Sequence, residues 1–281
     1  MSSLPPNTDT LLQHAITEDL GLAGDLTSQM TIPDDARSTA KIVARAPGRI
    51  SGLSAALRVF ELVDPTLAIQ RTSSDGVDTT TGDTLAIVHG STRSILSAER
   101  VALNLLGHLS GVATATRMLV EAIEDTGVRV MDTRKTTPGL RALEKAAVRD
   151  GGGANHRFGL FDAVMIKDNH LAAIGSVTEA VARARDGVGH TVTIEVEAST
   201  VHQASDAAAA GADIVLLDNM DPATTRAAVE AISGRCIVEA SGGITVETIR
   251  SIAETGVDVI SVGWITHSAP SLDVALDLES H

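Results

Sequence analysis

Basic and hydroxyl side chains are concentrated in residues 132–139, which read DTRKTTPG. The segment places Thr133, Arg134 and Lys135 after an apolar run, and Pro138 is suited to a nearby helix start. Orphan amides and the dipole at a helix N-terminus favour an anion. A guanidinium binds a carboxylate in bidentate fashion, and lysine with threonine suits phosphate. The pattern therefore predicts an anion site rather than a basic surface turn.

Lysine is rare in this sequence, which makes its position informative. Of the four lysines in the chain, Lys135 and Lys167 lie in the polar clusters at the ends of predicted strands. A compact, mobile ammonium group is expected to matter at these two positions, because arginine serves as the general surface cation. The alternative is chance placement, or that both are ordinary surface lysines.

A second basic cluster begins with a run of glycines. Residues 151–157 read GGGANHR, and the glycines permit a close backbone approach. His156 and Arg157, together with Arg134 and Lys167, predict a pocket that neutralises a ligand with two carboxylates. His170, in the segment KDNH, has two open interpretations, a structural hydrogen bond or a catalytic role.

Acidic side chains are predicted at two neighbouring strands. Glu195 and Glu197 are two residues apart, so both face the same side of a strand, which we expect to be the barrel interior. Asp218 ends the next strand. Buried carboxylates need partners, and Mg²⁺, ribose hydroxyls, the lysines or an internal salt-bridge network could supply them.

Two glycine-containing turns follow the last two predicted strands. The first is Ser241, Gly242 and Gly243, and the second is Ser261, Val262 and Gly263. Barrel enzymes often bind phosphate at this place through backbone amides. The two turns together predict a phosphate site.

The elements that must position these residues repeat regularly in the second half of the chain. Short apolar strands alternate with helices, and the strands are predicted at residues 128–132, 163–167, 192–197, 214–218, 237–240 and 259–262. The alternation is typical of parallel strands, in either a doubly wound sheet or a barrel. Polar residues end nearly every strand, which favours a barrel with one common mouth.

The N-terminal part has a mixed pattern. We expect helices at residues 8–20, 54–62 and 94–126 and strands at 41–46, 67–72 and 84–89. Gly107 and Gly111 indicate a break in the third helix or close packing against it.

Composition excludes several classes of partner. The net charge of -14 disfavours nucleic acids and anionic membranes, and no apolar run approaches a membrane-spanning length. The single cysteine, Cys236, lies in an apolar run and is expected to be a buried hydrophobe. Without a signal-peptide pattern or a disulfide pair, the expected location is the cytoplasm.

The motifs resemble those of the quinolinate phosphoribosyltransferase family, also called carboxylating nicotinate-nucleotide pyrophosphorylases. The resemblance is carried by GDLT at 24–27, SAERVALN at 97–104, SGVAT at 110–114, DTRKTTPGLR at 132–141, GGGANHR at 151–157, IKDNH at 166–170, LLDNM at 216–220, ASGGI at 240–244 and THS at 266–268. These segments span nearly the whole chain.

The resemblance implies a fold, a reaction and an assembly. The fold would be an N-terminal α/β sandwich (residues 1–110, with 268–281 packing back on it) and an incomplete, seven-stranded α/β barrel (residues 111–267). The reaction would convert quinolinate and phosphoribosyl pyrophosphate to nicotinate mononucleotide, pyrophosphate and carbon dioxide with Mg²⁺, in de novo NAD synthesis. The enzyme would work as a homodimer, with Arg100 reaching into the partner's site.

Roles follow for the residues above. By the resemblance, quinolinate would be held by Arg100, Arg134, His156, Arg157 and Lys167. The resemblance implies that phosphoribosyl pyrophosphate is bound by Thr133, Lys135, Glu197, Asp218, Ser241, Gly242, Gly243, Ser261, Val262 and Gly263. Lys135, Glu197 and Asp218 would be catalytic, and the two acids would bind Mg²⁺ directly or through water. Lys135 and water are both open as the proton donor after decarboxylation.

Two positions depart from the expected family pattern. Ala146 stands where many relatives are expected to have an aromatic residue, and Trp264 follows the second glycine turn where a small residue is usual. Both bear on substrate fit rather than on the reaction class. The alternatives are a related phosphoribosyltransferase with another acceptor, such as nicotinate or that of a molybdenum-associated relative, and a non-catalytic barrel that binds phosphate ligands.

Overall fold

The structure is a computed structural model that describes residues 4–279. The helices are α1 (Thr8–Leu20), α2 (Leu26–Thr31), α3 (Leu53–Val63), α4 (Thr92–Ala122), α5 (Arg141–Asp150), α6 (Asp168–Ile174), α7 (Val177–Gly187), α8 (Val201–Ala209), α9 (Pro222–Ile232), α10 (Ile249–Ala253) and α11 (Trp264–His267). The strands are β1 (Arg37–Ala44), β2 (Gly48–Arg49), β3 (Ala68–Arg71), β4 (Asp78–Thr79), β5 (Thr84–Ser91), β6 (Arg129–Met131), β7 (Val164–Ile166), β8 (Ile194–Ala198), β9 (Ile214–Asp218), β10 (Ile237–Ser241), β11 (Val259–Ser261) and β12 (Val274–Leu278).

The chain forms two compact units. The first contains the residues up to Arg117, then Thr137–Gly152, and then the segment from Ser268 onward. The second contains Met118–Thr136 and Gly153–His267. Residues 1–3 of the expected N-terminal domain, and residues 280 and 281 of the expected returning segment, lie outside the described residues.

The first unit is built on an antiparallel sheet with the strand order β12-β1-β5-β3. Strand β12 pairs with β1 from Ala40–Leu278 to Ala44–Val274, so the end of the described chain forms one edge of this sheet. Helix α3 buries one apolar face, including Leu53 and Phe60, in the core of the unit. Burial of side chains of this size stabilises the fold by roughly 1.5–3 kcal/mol each.

Helix α4 is continuous, and its glycines mark close packing rather than a break. A Cβ atom on Gly111 would lie 2.1 Å from the carbonyl oxygen of Pro270, and one on Gly107 would lie 2.9 Å from that of Leu272. Real Cβ atoms essentially never lie within 3.0 Å of such an atom. The missing side chains therefore let the segment that leads into β12 pass directly over the helix.

The second unit is an open parallel sheet with the strand order β6-β11-β10-β9-β8-β7. The register places Ser241 opposite Asp218 on one side and opposite Ser261 on the other, so the polar strand ends lie side by side. Within the described residues β6 and β7 do not pair with each other, and β6 instead forms an isolated parallel bridge between Met131 and Ala154. The barrel is incomplete, as predicted, with six strands and a bridge where the resemblance implied seven strands.

Most elements lie where the pattern predicts them, within a few residues. Helix α10 begins only at Ile249, because residues 245–248 first form a turn in which the Thr245 amide donates to Thr248 Oγ1 at 2.9 Å. No helix among residues 4–279 has both the length and the apolar character needed to cross a membrane. Cys236 is half-buried, with burial raising the pKa of its thiol.

Candidate active site

The carboxyl ends of the parallel strands surround a cavity of about 310 Å³. Its lining brings together ten of the predicted site residues: Thr133, Arg134, Lys135, His156, Arg157, Lys167, Glu197, Asp218, Ser241 and Ser261. Met165, Leu216 and Glu239 also line it. Residues that are more than one hundred positions apart in the chain therefore meet in one pocket, as a barrel mouth requires.

Two predicted residues form an ion pair across this cavity. Lys167 Nζ donates a short hydrogen bond to Glu197 Oε2, and the Glu197 side chain is 13% exposed. Lys167 follows β7 and Glu197 lies on β8, and the parallel pairing of these strands brings the two side chains together. A residue expected to bind quinolinate thus contacts one expected to bind the sugar diphosphate.

Two guanidinium groups add positive charge to the same pocket. Burial lowers the pKa of Arg157, and the neighbouring charge of Arg134 lowers it further, while Glu195 and Asp162 oppose the change. The Arg157 head group is oriented by the Ala163 carbonyl oxygen, 3.1 Å from Nη1. Because like charges held together in a half-buried pocket repel each other, an anion placed between the two arginines would be stabilised.

His156 lies between two buried glutamates. Its Nε2 is 3.2 Å from Glu195 Oε2 and 3.5 Å from Glu239 Oε2. Burial lowers the pKa of His156, but the hydrogen bonds and charges of the two carboxylates outweigh it and raise the pKa to about 10. Burial also raises the pKa of Glu195. The cluster therefore retains a proton between the ring and the carboxylates at neutral pH.

The backbone of Arg157 bears on the protonation state of His156. The Arg157 amide donates to Nδ1 of His156 at 2.7 Å, which would require an unprotonated Nδ1. A fully protonated ring would lose that bond, worth about 1 kcal/mol. Two carboxylates in a buried site outweigh it, so we assign the positive charge to the imidazole. Both ring nitrogens face protein groups, and carboxylate binding by His156 stays a prediction.

The segment that carries His156 is anchored by Asp132, which is fully buried. Asp132 Oδ1 accepts the His156 backbone N–H at 2.8 Å, and Oδ2 accepts the Asn155 side-chain amide at 2.7 Å. One carboxylate at the end of β6 therefore holds the GGGANHR segment at the cavity. Sequence reasoning placed Asp132 at a strand end without assigning it this function.

Glu239 is the charged residue of the cavity lining that sequence reasoning did not assign to the site. It lies in β10, is 2% exposed, and lines the cavity. The available signal was a carboxylate within the apolar run CIVEA, since a charge there requires a partner. Its partner, His156, could not be recognised without the strand order.

The first glycine turn packs tightly against the end of β9. A Cβ atom on Gly242 would lie 2.1 Å from Asn219 Oδ1, and Gly242 has φ of 99°, a conformation that favours glycine. Asn219 in turn donates from Nδ2 to Asp218 Oδ2 at 2.9 Å. Gly243 also has a positive φ of 61°. The turn and the predicted metal-binding carboxylate are thus linked through Asn219.

The second glycine turn adjoins the basic segment. Val262 is buried, and a Cβ atom on Gly263 would lie 2.9 Å from Lys135 Cδ. The hydroxyl of Thr266 donates to the Lys135 carbonyl oxygen at 2.7 Å, which fixes the backbone of Lys135 beside this turn. The backbone of Lys135 is therefore held beside the second turn, and its exposed side chain lines the cavity.

Two other candidates take different places. Arg100 lies on α4 in the first unit, with its side chain 65% exposed and Nη2 3.6 Å from Glu99. It lines a separate cavity of about 350 Å³ in that unit. His170 Nδ1 accepts the Lys167 backbone N–H at 2.9 Å, which favours the structural interpretation of that histidine.

The donor set at the cavity suits a hard divalent cation. Glu197 and Asp218 both line it, and Mg²⁺ commonly binds one or two carboxylates together with substrate phosphates. Within residues 4–279, a second group with ligand-type geometry is His156, Glu195 and Glu239, whose nearest atoms lie within 4.8 Å of one another. In that group the imidazole is already within 3.2 and 3.5 Å of the two carboxylates, so we describe it as an ion-pair cluster.

The fold and this cavity define an α/β-barrel site for anionic ligands, placed at the carboxyl ends of parallel strands where barrel enzymes carry out their chemistry.

Comparisons with known proteins identify the family. Residues 25–110 match the N-terminal domain of quinolinate phosphoribosyl transferase, and residues 112–277 match its C-terminal domain. A Bacillus subtilis protein named "probable nicotinate-nucleotide pyrophosphorylase (carboxylating)" is 47% identical over 95% of this chain and 92% of its own length. The Mycobacterium leprae nicotinate-nucleotide pyrophosphorylase (carboxylating) is 42% identical over 95% of each chain. The crystal structure of NadC from Streptococcus pyogenes has a TM-score of 0.93 at 42% identity and covers all of both chains.

The chain belongs to the quinolinate phosphoribosyl transferase family. The family and the α/β fold class predicted from the motifs are confirmed.

Proposed function

We propose that this chain is a decarboxylating quinolinate phosphoribosyltransferase. It converts quinolinate and phosphoribosyl pyrophosphate to nicotinate mononucleotide, pyrophosphate and carbon dioxide, a step of de novo NAD synthesis. The observation that carries the proposal is one cavity lined by Arg134, Arg157 and Lys167 together with the carboxylates of Glu197 and Asp218. The first three suit a dicarboxylate and the last two suit a metal-bound sugar diphosphate.

Quinolinate binding falls to the cationic side of the cavity. Arg134 and Arg157 are planar bidentate donors, and Lys167 supplies a third positive charge close by. His156 is assigned to the same subsite. These groups orient the pyridine so that its nitrogen faces the sugar, and because that nitrogen is already a nucleophile, the protein mainly positions it.

The acidic side and the glycine turns hold phosphoribosyl pyrophosphate. We assign this ligand to Thr133, Lys135, Glu197, Asp218, Ser241, Gly242, Gly243, Ser261, Val262 and Gly263. Glu197 and Asp218 would also hold Mg²⁺, directly or through water, and when bound it offsets negative charge on the departing pyrophosphate.

The bond changes follow from these placements. The pyridine nitrogen forms a bond to C1 of the ribose as the bond from C1 to the pyrophosphate oxygen breaks. Positive charge develops on the sugar, and the nearby carboxylates stabilise it. The ribosylated ring nitrogen is cationic and stabilises the electron pair left on the adjacent ring carbon when its carboxylate leaves as carbon dioxide. A proton from Lys135 or from water then completes nicotinate mononucleotide.

We propose a homodimer in which each site is completed by Arg100 of the partner subunit. The support is that Arg100 is exposed on α4 and does not line the charged cavity of its own chain. Arg100→Ala should raise the KM for quinolinate. Mixing Arg100→Ala protein with Lys167→Ala protein should restore some activity, because mixed dimers would contain one intact site.

The test of the reaction is quinolinate-dependent release of pyrophosphate and carbon dioxide with Mg²⁺. Arg134→Ala and Lys167→Ala should each lose nearly all activity while keeping their thermal stability. Arg183→Ala is the matched control, because Arg183 pairs with Glu179 on an exposed face of α7. Turnover of nicotinate in place of quinolinate would indicate the alternative acceptor. Wild-type rates in either cavity variant would refute that residue's role.

A further inference from the structure

The single tryptophan of the chain connects the two glycine turns. Trp264 directly follows Gly263 and begins α11. Its indole Nε1 donates to the carbonyl oxygen of Ile244 at 2.9 Å, and Ile244 directly follows Gly243. A side chain at the end of the second turn therefore holds the backbone at the end of the first turn.

A hydrogen bond of this kind would order the backbone of the first turn. Gly242 and Gly243 both have positive φ values, and glycine has the greatest conformational freedom of any residue. On one side, Asn219 packs against Gly242. On the other side, the regular pairing of β10 with β11 ends at Ser241 and Ser261, before the glycines begin. The hydrogen bond from the indole to Ile244 lies beyond the Ser241–Ser261 pair. It joins the two turns where the strand pairing has ended.

Trp264 acts from outside the cavity. It does not line the cavity, whereas Ser241 and Ser261, which begin the two turns, do. Ile244 is 7% exposed, so its carbonyl oxygen needs a protein donor when water is excluded. The indole N–H satisfies this oxygen and thereby limits the positions that the glycine backbone can adopt.

We propose that Trp264 is a positioning residue that holds the two glycine turns in register for the phosphate groups of phosphoribosyl pyrophosphate. The inference rests on the proposed function for the identity of the ligand. The physical claim is that one hydrogen bond orders the two phosphate-binding turns before the ligand arrives. This order reduces the conformational entropy that is lost when the ligand binds.

The first experiment separates KM from kcat. Trp264→Phe keeps an aromatic ring but removes the donor. Because one hydrogen bond is worth about 0.5–1.5 kcal/mol, the KM for phosphoribosyl pyrophosphate should rise roughly two- to tenfold. The KM for quinolinate should stay within about twofold of the wild type, because the cationic side of the cavity is unchanged. An equal rise in both KM values, or no rise in either, would overturn the proposal.

The second experiment needs no turnover and no variant. The chain has one tryptophan and no tyrosine, so indole emission from the intact protein reports on Trp264 alone. Titration with phosphoribosyl pyrophosphate and Mg²⁺ should shift or quench this emission, and quinolinate alone should leave it nearly unchanged.

The emission test also distinguishes the two proposals from each other. If quinolinate is not turned over but phosphoribosyl pyrophosphate still changes the emission, the proposed reaction fails and the role of Trp264 stands. If turnover is normal and the emission does not respond to saturating phosphoribosyl pyrophosphate, the role of Trp264 is wrong. If Trp264→Phe does not fold, the wild-type titration decides the question.

Discussion

Replacement of His156 by glutamine tests the buried charge cluster. The change leaves Glu195 and Glu239, which are 1% and 2% exposed, without the imidazole that lies 3.2 and 3.5 Å from them. Removing one partner from a buried ion pair costs about 3–5 kcal/mol. Since the pKa of Glu195 is already raised by burial, this carboxylate can take up a proton and limit the loss. We therefore expect His156→Gln to lower the free energy of unfolding by roughly 3 kcal/mol.

The assay is urea unfolding at neutral pH for a double-mutant cycle. Glu239→Gln removes one carboxylate, so the remaining imidazole and Glu195 form a balanced pair. His156→Gln alone leaves both glutamates without the imidazole. In the double variant His156→Gln/Glu239→Gln, only Glu195 is left without it. The double variant should therefore be more stable than the sum of the single losses predicts, by about 1 kcal/mol or more. Strictly additive losses would refute the claim that the three side chains share one proton and charge balance.

The same cluster predicts a dependence on pH. The pKa of His156 is raised from 6.5 to about 10 in the folded chain. A raised pKa means that the stabilisation is fully present below the unfolded-state pKa and is lost as pH rises through the folded-state value. The stability difference between the wild type and His156→Gln should therefore narrow as pH rises from neutral through about 10. A constant difference over that range would contradict the assignment.

Three further substitutions test packing. Gly242→Ala should raise the KM for phosphoribosyl pyrophosphate at least tenfold (an order-of-magnitude expectation), because its Cβ atom would lie 2.1 Å from Asn219 Oδ1; steady-state kinetics with both substrates checks this. Gly111→Ala should lower the free energy of unfolding by roughly 1–3 kcal/mol, because its Cβ atom would collide with a backbone oxygen. Urea unfolding measures this loss. The control is Gly187→Ala, which should not destabilise the chain because its Cβ atom would lie in open space. Ala146→Phe should raise the melting temperature by filling a cavity of about 100 Å³ that Ala146 lines; a lower value would show that the cavity cannot accept the ring.

Regular elements were the most predictable part of the fold. Residues 8–20 and 214–218 have the predicted boundaries, because the apolar pattern in each ends at a clear signal, Gly21 in the first and Asp218 in the second. The short helices α2, α6 and α11 were not predicted. A helix of one or two turns has too few residues for a 3.6-residue period to be recognised, and contacts with its surroundings determine it.

The site was predictable at the level of its strand ends. In a parallel barrel, residues at the carboxyl ends of strands meet whatever their distance in sequence, so Arg134, Lys167, Glu197 and Asp218 could be placed in one cavity. The partners within the cavity could not be predicted. Whether Lys167 contacts Glu197 or Asp218 depends on which strands are neighbours and on their register, and no local pattern contains that information.

In a chain with a net charge of -14, the charge pairing in the cavity determines which of its cations can stabilise a bound anion. Lys167 already has the Glu197 carboxylate as its partner, and His156 has two. A ligand with one carboxylate would only replace Glu197 as the partner of Lys167. This replacement would add little to the free energy of binding. A ligand with two carboxylates can also engage Arg134 and Arg157, whose mutual repulsion it relieves. We therefore expect selectivity for quinolinate over nicotinate to depend on the arginine pair more than on the lysine. Arg134→Ala should consequently reduce the ratio of the Kd values for nicotinate and quinolinate, measured by equilibrium binding, more than Lys167→Ala does.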